Sequence, residues 1–210
     1  MTISTLKQLW KNEYFKTALM IILIIVVVFG FWYGSQVVLN TQYPALAVAS
    51  GSMCTVEGMK CDGWSHPFSA TLHVGDLIII QGVKPEEIKT APNPDGDIIV
   101  FRRPQGSSEL IVHRAIAEQM MNDKIFFRTQ GDANSVPDPA LVPEDNVVGR
   151  VVLRIPWIGH IALFMHDSSG IFIIIFLIII LVVIEFIMPA FRGKEAKAEQ
   201  KESVEKAFEA

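Results

Sequence analysis

The stretch TALMIILIIVVVFGFWYGSQVVL, Thr17 to Leu39, passes about 23 residues without a charge. Roughly 20 apolar residues in a helix cross a hydrocarbon core about 30 Å thick, so a transmembrane helix is predicted over 17–39. A second uncharged run, Ser168 to Ile184, includes the unbroken apolar segment Ile171 to Ile184. It predicts a second span over 169–188, provided the helix continues past Glu185 to Met188 with that carboxylate near the headgroups. Composition agrees, since half of the 210 residues are hydrophobic and the mean hydropathy is positive.

Lysines and arginines close to the spans set the orientation. Lys7, Lys11 and Lys16 precede the first run against a single Glu13, and Arg192, Lys194 and Lys197 follow the second. Both ends are therefore expected in the cytoplasm, 1–16 as an interfacial segment and 189–210 as a charged tail. Leu6, Trp10 and Tyr14 recur at helical spacing, which suits a lead-in at the interface. From Lys194 on, the mixture of Lys, Glu and Ala reads as a solvated helix or a disordered tail. A cleavable secretory leader is the competing account, because Ala45-Leu46-Ala47 and Ala47-Val48-Ala49 imitate small-x-small sites. The apolar run exceeds the roughly 7 to 15 residues of a leader core, and Tyr43-Pro44 intervenes, so a permanent anchor is favoured.

Residues 40–168 then form an extracytoplasmic domain. Their pattern changes to short β-branched stretches broken by Gly, Pro, Asn and Asp. Strands are predicted near Leu77 to Gln81, Asp97 to Arg102, Leu110 to Glu118, Lys124 to Thr129 and Val147 to Ile155. The fold class expected is a mostly β catalytic domain between two transmembrane α-helices, large enough for a core of its own. Acidic residues outnumber basic ones in this segment, so it offers no basic field for nucleic acid.

Ser50-Gly51-Ser52-Met53 places hydroxyls about a dozen residues beyond the first span. A serine hydroxyl is a poor nucleophile until a base takes its proton and donors hold the oxyanion, so partners must be sought elsewhere. Alternation along Ile111-Val112-His113-Arg114 puts His113 on the face opposite Val112 and Arg114. His66, His73, His160 and His166 compete with it, the first two in a turn-rich insert and the last two beside the second run. Gly131-Asp132-Ala133-Asn134 and Val136-Pro137-Asp138-Pro139 add two aspartates six positions apart on one loop. Local turn chemistry is their alternative explanation.

Ser50-Gly51-Ser52-Met53, Gly75-Asp76-Leu77-Ile78, Asp97-Ile98-Ile99-Val100, Val112-His113-Arg114, Gly131-Asp132-Ala133-Asn134 and Gly149-Arg150-Val151 occur in succession. In that order they resemble a type I signal peptidase over roughly residues 45 to 161. A histidine at position 113, where bacterial members carry a lysine, is similar to the archaeal and endoplasmic-reticulum type. The resemblance implies that Ser52, just before Met53, is the nucleophile and His113 the general base. It implies further that Asp138 orients the histidine, that Asp132 is a second acidic residue of less settled contribution, and that Ser50 helps line the oxyanion hole with Ser52. It implies hydrolysis of exported precursors after small residues, with no cofactor or metal.

The chain departs from the family pattern at Cys54 to Ala70, where an insert carries Cys61, Trp64, His66 and Phe68. Cys54 and Cys61 are expected to pair in an oxidising compartment, bracing the turn after Ser52. The alternatives are two free thiols, or Cys54 itself as nucleophile. Trp64, Phe68, Trp157 and Phe164 suit a lipid interface, although Trp157 equally suits a core. Expected partners are signal-peptide-bearing precursors, the lipid bilayer and secretion machinery. The expected location is an archaeal cell membrane, with the endoplasmic reticulum as alternative. A rival from another class is a non-catalytic, membrane-tethered β domain that binds a protein partner. Lysine chemistry through Lys124 would be a different mechanism for the same site.

Overall fold

The apolar run folds as helix α1, Glu13–Val38, in a computed structural model that describes residues 13–56, 59–60, 71–104 and 109–184. Its segment Phe15–Val38 has 24 residues, none of its most apolar window is buried by protein, and it is the one unbroken helix among the described residues apolar and long enough to cross a membrane. At 1.5 Å per residue it is about 36 Å long. Phe29, Phe31 and Tyr33 lie on an apolar surface that no other element covers. The chain turns after the helix through Asn40 and ties back to the sheet, Gly82 N–H donating to Leu39 O at 2.8 Å. A side chain at Gly82 would strike the Asn40 carbonyl, so glycine is needed for this close approach.

The chain divides into two compact units, residues 1–160 and 161–210. Among the described residues of the first, nine strands follow α1: β1 (Ala45–Ala47), β2 (Thr55–Val56), β3 (Met59–Lys60), β4 (Leu77–Gln81), β5 (Ile98–Arg102), β6 (Leu110–Met121), β7 (Lys124–Gln130), β8 (Val142–Pro143) and β9 (Val147–Ile155). Seven form one sheet in the order β1-β4-β9-β5-β6-β7-β8, and β2 pairs with β3 apart from it. All pairings are antiparallel. The predicted strands from Leu77, Lys124 and Val147 fall where expected. β6 runs three residues further than predicted, to Met121, before turning at Asn122 and Asp123, both with positive φ.

Strand alternation divides the core in two. One face buries Val48, Met53, Leu72, Ile78, Ile80 and Val100, with Val112 packed against them. The other buries Ile88, Ile99, Phe101, Ala115, Phe127 and Val142. At roughly 25 cal/mol per Å² of apolar area, each fully buried Ile or Phe contributes about 2 to 3 kcal/mol over its exposed state. Neighbouring positions 112 and 113 therefore face opposite ways, and β5 fixes their height through the registers Val100 with Val112 and Ile99 with His113. Trp157 is 46% exposed, so the core role considered for it does not hold.

Beyond β9 comes α2 (Gly159–His166) and then, after a bend at Asp167, the second apolar run gives α3 (Ser168–Val182). The 15 residues of α3 measure about 22 Å, and positions 183–184 remain helical. Of the expected span over 169–188, positions 185–188 lie outside the described residues. Glu185, the tail from Arg192, the segment with Leu6 and Trp10, and the residues Cys61, Trp64, His66 and Phe68 lie outside the described residues.

Candidate active site

Ser52 sits in a single 3-10 turn, Gly51–Met53, immediately after the chain leaves the β1 edge of the sheet. The turn is held from both sides. Met53, 1% exposed, sinks its side chain into the first core cluster, and its Sδ accepts the Asp132 N–H at 3.4 Å. The Ser52 carbonyl accepts the Ala133 N–H at 2.8 Å. The Thr71 hydroxyl donates to the Met53 carbonyl from a segment far along the chain. A methionine after the serine is therefore a packing anchor that leaves the hydroxyl outside the core. Cys54 is fully buried and disulfide-bonded, and its expected partner Cys61 lies outside the described residues.

His113 projects from the first third of β6, its ring and that of Phe101 meeting edge to face with centroids 6.4 Å apart. Its Nε2 lies 3.0 Å from Ser52 Oγ, and its Nδ1 lies 2.7 Å from Asp138 Oδ2. A carboxylate oxygen can only accept, so Nδ1 carries the proton and Nε2 is left to accept from the serine. The three side chains are separated by 61 and 25 positions in sequence. Sheet register and the turn at 131–134 bring them together. Burial pushes the Asp138 carboxyl up, but hydrogen bonds from His113 and Thr129, with the charges of His113 and Arg103, outweigh it and leave its pKa below the ordinary value.

Asp132 takes a different direction. It receives Arg114 Nε at 2.8 Å and Nη2 at 2.5 Å in a bidentate pair whose side chains are only 3% and 5% exposed. Arg114 Nη1 also donates to the carbonyls of Pro94 and Gly96. Of the two aspartates considered for orienting the imidazole, Asp138 is the one in contact with it. Ser50 precedes the turn in extended backbone, makes no capping bond with its side chain, and places Oγ 3.3 Å from Ser52 Oγ.

Other candidates lie apart. His73 and Asp76 are buried together, with Arg154 Nη1 3.0 Å from His73 Nδ1 and 3.4 Å from Asp76 Oδ2. His160 packs beneath Gly75, where an added Cβ would meet its ring. Lys124 occupies the opposite end of β7 from Gln130 and is paired with Asp145, whose hydrogen bond and charge raise the lysine pKa. A base needs a depressed lysine pKa, so its surroundings suit it poorly to that role. No cluster of His, Cys, Asp and Glu fit to hold a metal occurs among the described residues.

Two contributors were not singled out from the sequence. Thr129, fully buried, donates its hydroxyl to Asp138 Oδ2 at 2.6 Å. Alternation with buried Phe127 marks it as an inward polar group that needs a partner. Gly131 lies so close to the site that a Cβ there would come within 2.6 Å of the Ser52 carbonyl oxygen and 3.0 Å of His113 Nε2. A cleft of about 460 Å³ opens over Ser52 and His113, walled by Leu46, Val48, Leu110 and Val112 among others.

Sheet and site together define a class: a β domain bearing a serine, a histidine and a carboxylate in one hydrogen-bonded chain at an open, largely apolar cleft. Among known proteins, the chain is similar to the signal peptidase complex catalytic subunit SEC11C of Homo sapiens, 28% identical over 170 residues, which are 77% of this chain and 78% of that one. It is 25% identical over 170 residues to the catalytic subunit sec11 of Dictyostelium discoideum, covering 77% of this chain and 83% of the relative. The subunit SEC11 of Candida tropicalis is 26% identical over 148 residues, 67% of this chain and 76% of its own length. No protein-family model matches the chain. The resemblance to the endoplasmic-reticulum type of signal peptidase, drawn from six ordered motifs, thus extends over most of the chain.

Proposed function

We propose that this protein is a membrane-anchored serine endopeptidase that removes signal peptides from exported precursors. The observation that carries this reading is His113 bridging Ser52 and Asp138 within an open cleft. The names of the relatives support the substrate class. In the proposed reaction Nε2 of His113 takes the Ser52 proton as Oγ attacks the scissile carbonyl, then returns it to the leaving amine. Asp138 holds the ring and balances the imidazolium that forms. Proton transfer of this kind contributes about 10²- to 10⁴-fold. The Ser52 amide and the Ser50 hydroxyl are proposed as the oxyanion donors, each worth on the order of 3 kcal/mol. Water then releases the acyl group with His113 again as base.

The edge strand β1 supports the mode of substrate binding. Among the described residues it pairs only with β4, and the cleft runs beside it and the residues leading to Ser52. An extended peptide adding to that edge would deliver its carbonyl to Ser52, with shallow pockets taking small side chains. Helix α1 is proposed as the anchor and the second apolar run as another span, with both termini cytoplasmic, following the lysine and arginine distribution. The sequence favours an archaeal cell membrane, whereas the eukaryotic relatives lend weight to the endoplasmic reticulum and to work within a complex.

In proteoliposomes containing the full chain, a precursor with Ala before the cut should be processed, and replacement of that Ala by a large residue should abolish cleavage. Equal cleavage of both precursors would contradict the substrate assignment. Binding of precursor without any cleavage would favour the non-catalytic alternative.

A further inference from the structure

We propose that Thr129 is a positioning residue of this site, its hydroxyl selecting and fixing the Asp138 oxygen that faces His113. The inference rests on the serine-histidine reading above and deepens it. Thr129 Oγ1 and His113 Nδ1 converge on the same atom, Asp138 Oδ2, at 2.6 and 2.7 Å. The backbone doubles the tie, because the Asp138 N–H donates to the Thr129 carbonyl at 2.8 Å. One residue on β7, which β6 pairs along its length, therefore holds both the main chain and the side chain of an aspartate that otherwise rides on a loop.

Valine would fill the same space at position 129, and β7 would accept it equally well. Packing alone does not call for a hydroxyl there. Thr129 is 0% exposed, so that hydroxyl must find a partner within the protein, and the partner is Asp138. Branching at Cβ restricts χ1, which presets the direction of the donor. A carboxylate is two-fold symmetric and rotates freely about its last bond, so a second donor on Oδ2 is what keeps one lone pair aimed at the ring.

The sign of the pH effect follows from the groups present. Asp138 faces His113 from β6, Thr129 from β7 and the charge of Arg103 from the segment after β5. Arg114 is committed to Asp132. Thr129 donates to the unprotonated carboxylate and helps hold the Asp138 pKa down, so its loss makes that carboxyl keep a proton more tightly. The active form has that proton absent, and the acid limb of the rate profile therefore moves to higher pH.

The test compares the full-length protein with Thr129→Val, Thr129→Ser and Ser52→Ala in proteoliposomes, each checked for folding by its thermal melt. Thr129→Val is expected to lower kcat by about tenfold, the order expected for a hydrogen bond to a charged group, with KM nearly unchanged. Its acid limb in kcat/KM should shift upward in pH, and Thr129→Ser should restore most of both. If folded Thr129→Val keeps the parent kcat and pH profile while Ser52→Ala is inactive, the role of Thr129 is refuted and the site reading stands. If it loses rate only in proportion to folded protein, with the acid limb unmoved, Thr129 is merely structural and the inference fails. Full activity of Ser52→Ala would overturn the site reading and this inference together.

Discussion

Gly131 shows how narrowly the site is built at the scale of single residues. A methyl group there would press on the Ser52 carbonyl oxygen at 2.6 Å, on Asn134 Nδ2 at 2.8 Å and on His113 Nε2 at 3.0 Å. The backbone carbonyl cannot swing aside, so Gly131→Ala must part the serine turn from the imidazole. We expect kcat to fall by about 10²-fold with binding largely kept, as a misplacement of roughly 1 Å can cost that much. Steady-state kinetics separating kcat from KM would check it. Asp138 carries a second prediction. Its pKa is lowered in the fold, so it contributes stability that is fully present above the ordinary carboxylate value of about 3.9 and is lost as pH falls through the folded value. Asp138→Asn should therefore melt below the parent at neutral pH, and the gap should close in the acid range. A gap that widened on acidification would contradict the carboxylate's assigned surroundings. The same substitution should lower kcat by about 10³- to 10⁴-fold, since an amide cannot balance an imidazolium.

At the scale of elements, two devices hold the site. The first is the Met53 anchor, whose truncation to Ala should cost about 2 to 5 kcal/mol in denaturant unfolding and release the serine turn along with the core. The second is the Arg114–Asp132 pair, which ties β6 to the turn after β7 and to the carbonyls at 94 and 96. Removing Arg114 leaves a buried carboxylate uncompensated, a loss of about 3 to 5 kcal/mol. Asp132→Asn should likewise lower the melting temperature while the folded fraction retains most of its kcat, in contrast to Asp138→Asn. A kcat collapse equal to that of Asp138→Asn, with normal stability, would place Asp132 in the chemistry instead. Strands β4, β7 and β9 were readable in the sequence because β-branched and aromatic residues fill them and turn residues bound them. β1 was not, because Ala45-Leu46-Ala47 has no β-branched residue and resembles a processing site. It is a strand only because Leu77 to Ile79 of β4 lie alongside it.

Across the whole molecule, the apolar helix was the plainest feature in the sequence, and its side chains are indeed left uncovered by protein. The second run was harder to judge from composition. Asp167 stands just before it and separates α3 from α2, a helix over Gly159–His166 whose eight residues are too few to show a clear helical period. The candidate site residues were nameable from motif order, yet their contacts were not, because the sheet joins positions 61 and 25 apart. Thr129 escaped notice because a threonine in a strand is unremarkable until the buried face is known. If Ser52 and His113 act as one unit, a double-mutant cycle on processing of a membrane-bound precursor shows it. Ser52→Ala and His113→Ala should each reduce kcat to the same residual rate, and the double variant should be no slower, as for groups that function together. Processing at the parent rate by Ser52→Ala, or losses that simply multiply in the double variant, would contradict it.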